Sequence, residues 1–186
     1  MKPSLDTLTF HAVDRAHLQD FVALFESMGA PKFCWCMVWR AKSSTLRNMD
    51  NAARKRAITQ CVQQDIPIGI LAYLNGQPIA WCSIAPRETY RDLGGLPAEK
   101  GKNIWSLVCF FIKREYRGLG LSDELLRAAI EYARQRGATT VEAYPVDSDA
   151  PSYRFMGFVP LFDHAGFVEQ GRAGSRRHVM RLELKH

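Results

Sequence analysis

The stretch FFIKREYRGLGLSDELLRAAIEYARQRGA, residues 110–138, joins the end of an apolar run, a basic turn with two glycines and a long amphipathic segment. Leu121, Leu125 and Tyr132 recur at helical spacing, with charged residues at the opposite positions. The stretch therefore predicts a strand, a glycine turn and a helix in direct succession. This arrangement directs unpaired backbone N–H groups and the positive end of the helix dipole toward one place, which favours binding of an anion.

The turn itself, Arg117 to Ser122, has the composition of a phosphate site. Gly118 and Gly120 lack side chains, so a phosphate can approach the main chain closely, and Arg117 can add a charge-assisted hydrogen bond. The turn has no Gly-Lys-Ser/Thr ending of a P-loop, and Asp123 stands where the dinucleotide fingerprint needs a third glycine. A plain strand-to-helix connection with a solvated Arg117 is the alternative interpretation.

Length and composition predict one folded domain over residues 1–186, with 47% hydrophobic and 24% charged residues. The N-terminus, MKPSLDTLTF, lacks the apolar core of a secretory signal, and the longest apolar run, Leu107 to Ile112, is too short to span a bilayer. We therefore expect a cytoplasmic protein with no membrane partner. The odd number of cysteines, five, argues against a disulfide framework.

The order of the periodic segments predicts an α+β fold, with a central mixed sheet of about seven strands flanked by about four helices. The predicted helices are Arg15 to Met28, Asn51 to Gln64, Leu121 to about Gly137, and Pro160 to Ala165. The predicted strands are Leu5 to Val13, ILAYL (70–74), QPIAWCSIAP (77–86), IWSLVCFFI (104–112), TTVEAYPV (139–146), FVEQG (167–171) and HVMRLEL (178–184).

Two of these strands carry further information. Asn75-Gly76 separates ILAYL from QPIAWCSIAP, and this dipeptide supplies the positive φ angles of a tight hairpin turn. IWSLVCFFI is apolar on both faces, which predicts a central position in the sheet.

The turn and its flanks resemble the acyl-CoA-binding motif of the GNAT superfamily of N-acyltransferases, Arg/Gln-x-x-Gly-x-Gly/Ala. The motif residues fall on Arg117, Gly120 and Ser122. Ser122 departs from the motif, but serine is small and its hydroxyl can donate a hydrogen bond. The predicted order of elements is similar to that of the superfamily over nearly the whole chain. The segments CWCMVWR, WCSIAPRE and VEAYPVD resemble a bacterial subgroup whose acceptors the sequence does not identify.

The resemblance implies an acetyl-CoA-dependent N-acetyltransferase that moves an acetyl group directly to a primary amine, without a metal. The diphosphate of coenzyme A would bind at Arg117, Gly118, Leu119, Gly120, Leu121 and Ser122. The pantetheine arm would lie between splayed strands at residues 107–112 and 141–146, paired with the backbone of Phe110, Phe111 and Ile112. The partners would be a coenzyme A thioester and an amine. A homodimer is compatible with the sequence, which does not define the oligomeric state.

In many members of the superfamily a tyrosine four residues before a Gly-Phe pair protonates the leaving thiolate. Two registers fit this chain, because Tyr153 precedes Gly157-Phe158 and Phe162 precedes Gly166-Phe167. We prefer the second register, since it gives the closing hairpin a better length and has Pro160 at the start of a short helix. Phe162 has no proton to donate, so this choice removes the expected acid.

The proton donor would then be Tyr153, Tyr144 or a water molecule, and a Tyr153 that only packs is equally compatible with the sequence. Tyrosine has a reference pKa of about 10, which suits a thiolate leaving group. For the base that takes the proton of the amine, we select Glu142 and keep Glu88 and Asp147 as alternatives.

Cys34-Trp35-Cys36 raises the question of a metal site. The pair lacks the Cys-x2-Cys spacing of zinc sites, and no second ligand pair accompanies it, so we expect no metal. By the resemblance, FCWCMVW (residues 33–39) would form a wall of the acceptor pocket and favour an apolar or planar substrate. Core packing explains the same residues equally well.

Two other function classes stay open. The net charge of +6 and the basic patch of Arg172, Arg176, Arg177 and His178 are compatible with nucleic-acid binding, but the patch lacks interleaved aromatic residues and belongs to no nucleic-acid module. A solvated loop explains it better. The other alternative is an acyl-CoA-binding sensor without turnover, which the absence of a tyrosine at Phe162 leaves open.

Overall fold

A computed structural model describes residues 7–97 and 99–185. Seven strands form a sheet in the order β1-β2-β3-β4-β5-β7-β6. The strands are β1 (Leu8–Ala12), β2 (Ile70–Leu74), β3 (Gln77–Pro86), β4 (Ile104–Ile112), β5 (Thr140–Ala143), β6 (Val168–Ala173) and β7 (Arg177–Glu183). The helices are α1 (Leu18–Glu26), α2 (Ser43–Arg47), α3 (Asn51–Gln63), α4 (Leu121–Gln135) and α5 (Val159–His164).

The sheet is mixed, as predicted. β4 and β5 run parallel, and every other neighbouring pair is antiparallel. The predicted turn between β2 and β3 is confirmed, because Asn75 and Gly76 have φ angles of 50° and 75°, both of the sign that a type I′ turn requires. β4 is the fourth strand of seven, which confirms the central position predicted from its two apolar faces.

A β-bulge interrupts the pairing of β4 with β3. Ser83 is paired with Cys109 and Ile84 with Leu107, so Val108 is an extra residue without its own partner on β3. A bulge of this kind bends the strand and increases its twist. After the bulge, Phe110 packs toward Phe162 of α5. The bulge therefore determines on which face of the sheet the side chains of the following β4 residues lie.

Both faces of the sheet are covered by helices. The apolar side chains of α4, among them Leu121, Leu125 and Ile130, pack on one face with Phe162 and Phe167. On the other face, α1 and α3 enclose an aromatic cluster in which the rings of Phe21, Phe25, Trp35 and Trp81 are nearly or fully buried. These two layers hold the sheet rigid around its centre.

The prediction of about four helices missed α2, a five-residue helix with no buried side chain and therefore no apolar periodicity. The first helix begins at Leu18, three residues later than predicted, because the backbone N–H groups of Ala16 and His17 bond to the Asp14 carboxylate in a turn. The predicted start of the first strand, residues 5 and 6, lies outside the described residues. Among the helices described, none has the length and apolar character needed to cross a bilayer.

Gly69 precedes β2 in a conformation that other residues avoid, with φ of 148°. A Cβ there would lie 2.0 Å from the backbone oxygen of Cys82 and 2.6 Å from the Trp81 ring. We predict that Gly69→Ala lowers the free energy of unfolding by about 3 kcal/mol or more, from the clash and the backbone strain together. The check is the urea denaturation midpoint.

Gly174→Ala is the matched control, because Gly174 also has a positive φ, 72°, but a Cβ there would meet no atom within 4 Å. This variant should lower the free energy of unfolding only by the penalty for a left-handed backbone conformation, about 1–2 kcal/mol. Equal midpoints for the two variants would contradict the packing argument at Gly69.

Candidate functional site

A cavity of about 850 Å³ opens where β4 and β5 separate. The parallel pairing runs only from Ile104–Thr140 to Leu107–Ala143. Past that point the chain after β5 turns away, since Val146 forms its backbone bridges with Phe158 and Arg177. One wall of the cavity consists of β4 residues 108–112, together with Arg117 and Ser122. The predicted splaying of these strands is therefore present.

The turn between β4 and α4 lies at one end of this cavity. Gly118 and Gly120 have φ angles of 73° and 79°, and a Cβ at either position would meet no atom within 4 Å. Glycine is therefore required by the backbone conformation, while the space beside the turn is open. Gly120 is the N-cap of α4 and supplies no side-chain cap, so the first N–H groups of the helix are available to a ligand.

Arg117 is held at the edge of the turn by a hydrogen bond of 2.9 Å from its Nε to the backbone oxygen of Ile112. Phe110, Phe111 and Ile112 line the cavity, as do Arg117 and Ser122. The remaining residues of the predicted phosphate site, Gly118 to Leu121, form the turn between them, with the Leu121 side chain buried in the core. The structure thus brings the predicted cofactor residues together around one end of the cavity.

The opposite wall comes from two loop segments, residues 29–39 and 153–158. Cys34, Cys36 and Trp39 of the first segment line the cavity, whereas Trp35 and Met37 of the same segment are buried in the core. Trp35 and Cys36 have φ angles of 47° and 52°, which are unfavourable for side-chain-bearing residues. Such backbone strain persists only where the surroundings enforce it, and it concentrates at functional sites.

Tyr153 stands at the mouth of the cavity, also with a positive φ, 60°. Its side chain is 37% exposed, and its ring lies 6.1 Å from the Trp39 ring and 6.3 Å from the Phe155 ring. The guanidinium of Arg177 lies 5.4 Å from the centre of the same ring. These contacts hold the Tyr153 ring in the wall of the cavity.

Trp39 is fixed between two arginines. The guanidinium carbons of Arg91 and Arg177 each lie 4.7 Å from the centre of its ring, and the side chain is buried. Arg91 is itself anchored by a hydrogen bond of 2.8 Å to the backbone oxygen of Val38, and Arg177 by one of 2.9 Å to Leu93. The clamp holds the indole as a flat, rigid part of the wall.

Glu142 lies away from this cavity. Its side chain is fully buried, and its carboxylate accepts hydrogen bonds from Arg181 Nε at 2.7 Å and from the Tyr144 hydroxyl. Arg87 Nη1 is 3.3 Å from the same carboxylate. This position corrects the sequence-based assignment of Glu142 as the catalytic base, because a carboxylate paired with two arginines outside the cavity wall is not placed to accept a proton from a bound amine.

The comparisons with known proteins agree with this geometry. Residues 34–158, about two thirds of the chain, match the family model described as "Acetyltransferase (GNAT) family". The chain belongs to the GNAT acetyltransferase family. The matched residues include both walls of the cavity, apart from the start of the 29–39 segment, and the whole phosphate turn.

Similar proteins extend the comparison. The GNAT chain is 27% identical over 119 residues to a mouse protein described as "Probable N-acetyltransferase family 8 member 5", and the match covers 61% of this chain and 52% of that protein. An N-acetyltransferase structure from Staphylococcus aureus matches with a TM-score of 0.58 at 14% identity, covering 96% and 99% of the two chains. The PaiA N-acetyltransferase of Thermoplasma acidophilum, solved with coenzyme A, matches with a TM-score of 0.54 at 12% identity, covering 95% and 99%.

Phe162, which the preferred register places at the acid position, and the other acid candidate, Tyr144, lie elsewhere in the GNAT fold. Phe162 is fully buried in α5 and contacts Phe110 and Phe167. In the preferred register, the position four residues before Gly-Phe is therefore a core residue. Tyr144 is also buried, and its burial, followed by the neighbouring Glu142 carboxylate, raises the pKa of its hydroxyl well above the usual range. Among the tyrosines considered, only Tyr153 lines the cavity.

Several residues around the GNAT cavity were not predicted from the sequence. Arg154 lines it, with its guanidinium 4.7 Å from the Phe158 ring and hydrogen bonds to the backbone oxygens of Ser148 and Ala150. Arg177, assigned from the sequence to a solvated loop, instead contacts Trp39 and Tyr153. The contacts of Arg177 join segments far apart in the chain, so neither spacing nor periodicity could reveal them. The contacts of Arg154 lie within six residues of it, in a segment that has no regular periodicity.

The cysteines of the 33–39 segment are free thiols. The described residues contain no cluster of three or more side chains suited to hold a metal ion. Burial, and then the nearby Cys36, raise the pKa of Cys34 to about 11. Interaction with the Cys109 thiol, and then burial, raise the pKa of Cys36 well above its usual value. Both groups are therefore protonated and weakly nucleophilic at neutral pH.

Cys34 should consequently react slowly with iodoacetamide. A pKa two units above the reference reduces the thiolate fraction at pH 7.5 about a hundredfold. Because the thiolate fraction grows with pH, we expect the alkylation rate, followed by peptide mass spectrometry, to keep rising until about pH 11. A rate that reaches its plateau below pH 9 would contradict the raised pKa.

Proposed function

We propose that this chain transfers an acetyl group from acetyl-CoA to a primary amine. The observation that carries the proposal is the start of α4 without a side-chain cap. Gly118 and Gly120 precede it in left-handed conformations with open space beside them, and the cavity-lining residues Arg117 and Ser122 flank them. Backbone N–H groups arranged in this way bind phosphates, and the diphosphate of coenzyme A is such a group. Family membership and the coenzyme A in the related PaiA structure support the same ligand.

The residues present fit this ligand. Arg117 is anchored beside the turn, where its free guanidinium nitrogens can contact a phosphate oxygen. β4 has lost its parallel partner after Leu107, so its edge at Phe110 to Ile112 can pair with the amide groups of a pantetheine arm, as a strand would. The cavity volume of about 850 Å³ is within the range of small-molecule sites.

Acetyl-CoA, when bound, supplies a thioester whose C–S bond breaks as the new C–N bond to the amine forms. The chain has three tasks in this step. The turn and β4 hold the donor, the wall formed by residues 29–39 and 153–158 holds the acceptor, and Tyr153 holds a proton at its hydroxyl for the departing thiolate. The proton lost by the amine passes to water, because Glu142 is committed to Arg181 and Arg87.

The first test concerns the phosphate turn. We expect acetyl-CoA at about 100 Kd to stabilise the protein by about 2.7 kcal/mol, which corresponds to a Tm increase of about 5–10 °C for a chain of this size. Gly120→Glu should abolish the increase, because a carboxylate would occupy the open space beside the turn and repel the phosphates. Differential scanning fluorimetry and titration calorimetry measure both effects.

Gly101→Glu is the matched control. Gly101 also has a positive φ, 78°, with open space at its Cβ position, and does not line the cavity, so the variant adds the same strain and charge elsewhere. It should retain the full Tm increase. An unaltered response in Gly120→Glu, or an equal loss in both variants, would count against phosphate binding at the turn.

The second test concerns Tyr153. Tyr153→Phe keeps the ring contacts with Trp39 and Arg177 but removes the hydroxyl, so we expect kcat to fall about a hundredfold while acetyl-CoA binding is unchanged. Release of free coenzyme A across an amine panel measures the rate. Tyr132→Phe, whose ring packs against Trp105, is the control and should keep the wild-type rate.

A wild-type rate in Tyr153→Phe would remove the acid role of this tyrosine. Acetyl-CoA binding without turnover of any amine by the wild type would favour the acyl-CoA sensor instead.

A further inference from the structure

The cavity wall formed by residues 29–39 and 153–158 has side chains that favour one class of amine acceptor over others. Resting on the proposed function, we infer that the acceptor is a weakly basic amine attached to an aromatic ring, and that polycationic amines are excluded. Three features of the described residues carry this inference: exposed aromatic rings at the mouth, a rigid flat wall, and positive charge without any carboxylate.

Aromatic rings surround the mouth of the cavity and remain open to solvent. Phe33 is 69% exposed, Phe155 is 42% exposed and Tyr153 is 37% exposed, and all three line the cavity. Large apolar side chains at the surface are unusual when they cluster around one opening, and such a cluster marks a binding site. Rings of this kind bind another ring by stacking or edge-to-face contact.

The clamped Trp39 adds a flat surface deeper in the cavity. The guanidinium groups of Arg91 and Arg177 each lie 4.7 Å from the centre of this buried ring, and the half-exposed Tyr153 ring lies 6.1 Å from it at 36° between planes. A rigid wall of aromatic planes loses little conformational entropy when it binds a planar ligand. A flexible aliphatic chain would fill the same space less completely.

The charged side chains that line the cavity, within the described residues, are all positive. Arg117 and Arg154 line it, Arg91 and Arg177 flank Trp39, and in the described part of the chain none of these four forms an ion pair. No aspartate or glutamate is among the described residues that line the cavity. An acceptor with several ammonium groups would therefore meet repulsion and find no counter-charge.

The same charge pattern bears on the reactivity of the amine. An acyl acceptor must be unprotonated to attack, and a basic alkylamine would need a carboxylate or imidazole to take its proton. The cavity wall supplies neither among the described residues, while nearby guanidinium groups disfavour an ammonium ion. An aromatic amine is already neutral at neutral pH, so it is the acceptor that needs no protein base.

The test compares three amines on the protein saturated with coenzyme A: 1-naphthylamine, cyclohexylamine and spermidine. Saturation-transfer NMR detects binding without turnover, and we expect a signal for 1-naphthylamine and none for spermidine. Phe33→Ala should weaken 1-naphthylamine binding about fivefold to tenfold through the lost ring contact. Val168→Ala, which removes a side chain 61% exposed on β6 away from the cavity, should leave binding unchanged.

A parallel arm measures thiol release from acetyl-CoA, where kcat/KM for 1-naphthylamine should exceed the values for cyclohexylamine and spermidine by at least about tenfold. Spermidine binding equal to that of 1-naphthylamine, or equal effects of the Phe33 and Val168 variants, would overturn the inference. Calorimetry of coenzyme A binding to the same preparation distinguishes failure of the proposed function from failure of the aromatic-acceptor inference. Absence of heat would remove the proposed function, whereas normal heat with spermidine binding would remove only the aromatic acceptor.

Discussion

The site depends on the point at which β4 and β5 stop pairing. Two features end the ladder after Leu107 and Ala143: the extra residue Val108 twists β4, and Pro145 has no N–H to continue a parallel pair. The chain beyond β5 bonds to other partners, since the Pro145 carbonyl accepts from His178 N at 2.9 Å. One strand edge in the middle of a rigid sheet is thereby left open, and the cavity occupies that opening.

Charge is distributed unevenly around this opening. The buried carboxylate of Glu142 in the nearby sheet core is surrounded by Arg181, Arg87 and the Tyr144 hydroxyl, so its charge is neutralised within the protein. The arginines that face or flank the cavity are instead held by backbone carbonyl oxygens, as Arg117 is by Ile112. A carbonyl fixes the position of a guanidinium without cancelling its charge. The cavity is therefore positive along its length, which suits an anionic donor at one end.

Local sequence signals predicted most of the fold, because they act over a few residues. Asn75-Gly76 determines its turn through backbone conformation alone, and the apolar faces of IWSLVCFFI required a central strand. Predictions that depended on pairs distant in the chain were weaker. Glu142 was selected as a base because it is a carboxylate near the expected cleft, but its partner Arg181 lies 39 residues later on a neighbouring strand. Arg177 was missed for the same reason, since its contact with Trp39 crosses distant segments and leaves no periodic trace. Arg154 was missed because its local contacts lie in a segment without periodicity.

The two walls of the cavity belong to separate parts of the chain. In the proposed function the donor binds along β4 and the start of α4, whereas the acceptor is held by residues 29–39 and 153–158. Both loops lie outside α1–α5 and the seven strands, and Arg154–Met156 form a short 3-10 helix. Substitutions in those loops can therefore change which amine is accepted without altering the phosphate turn. Because the two walls are separate, related proteins can change their amine substrate while they keep the same acetyl-CoA site. The two loops can also be transferred together to another protein of this fold.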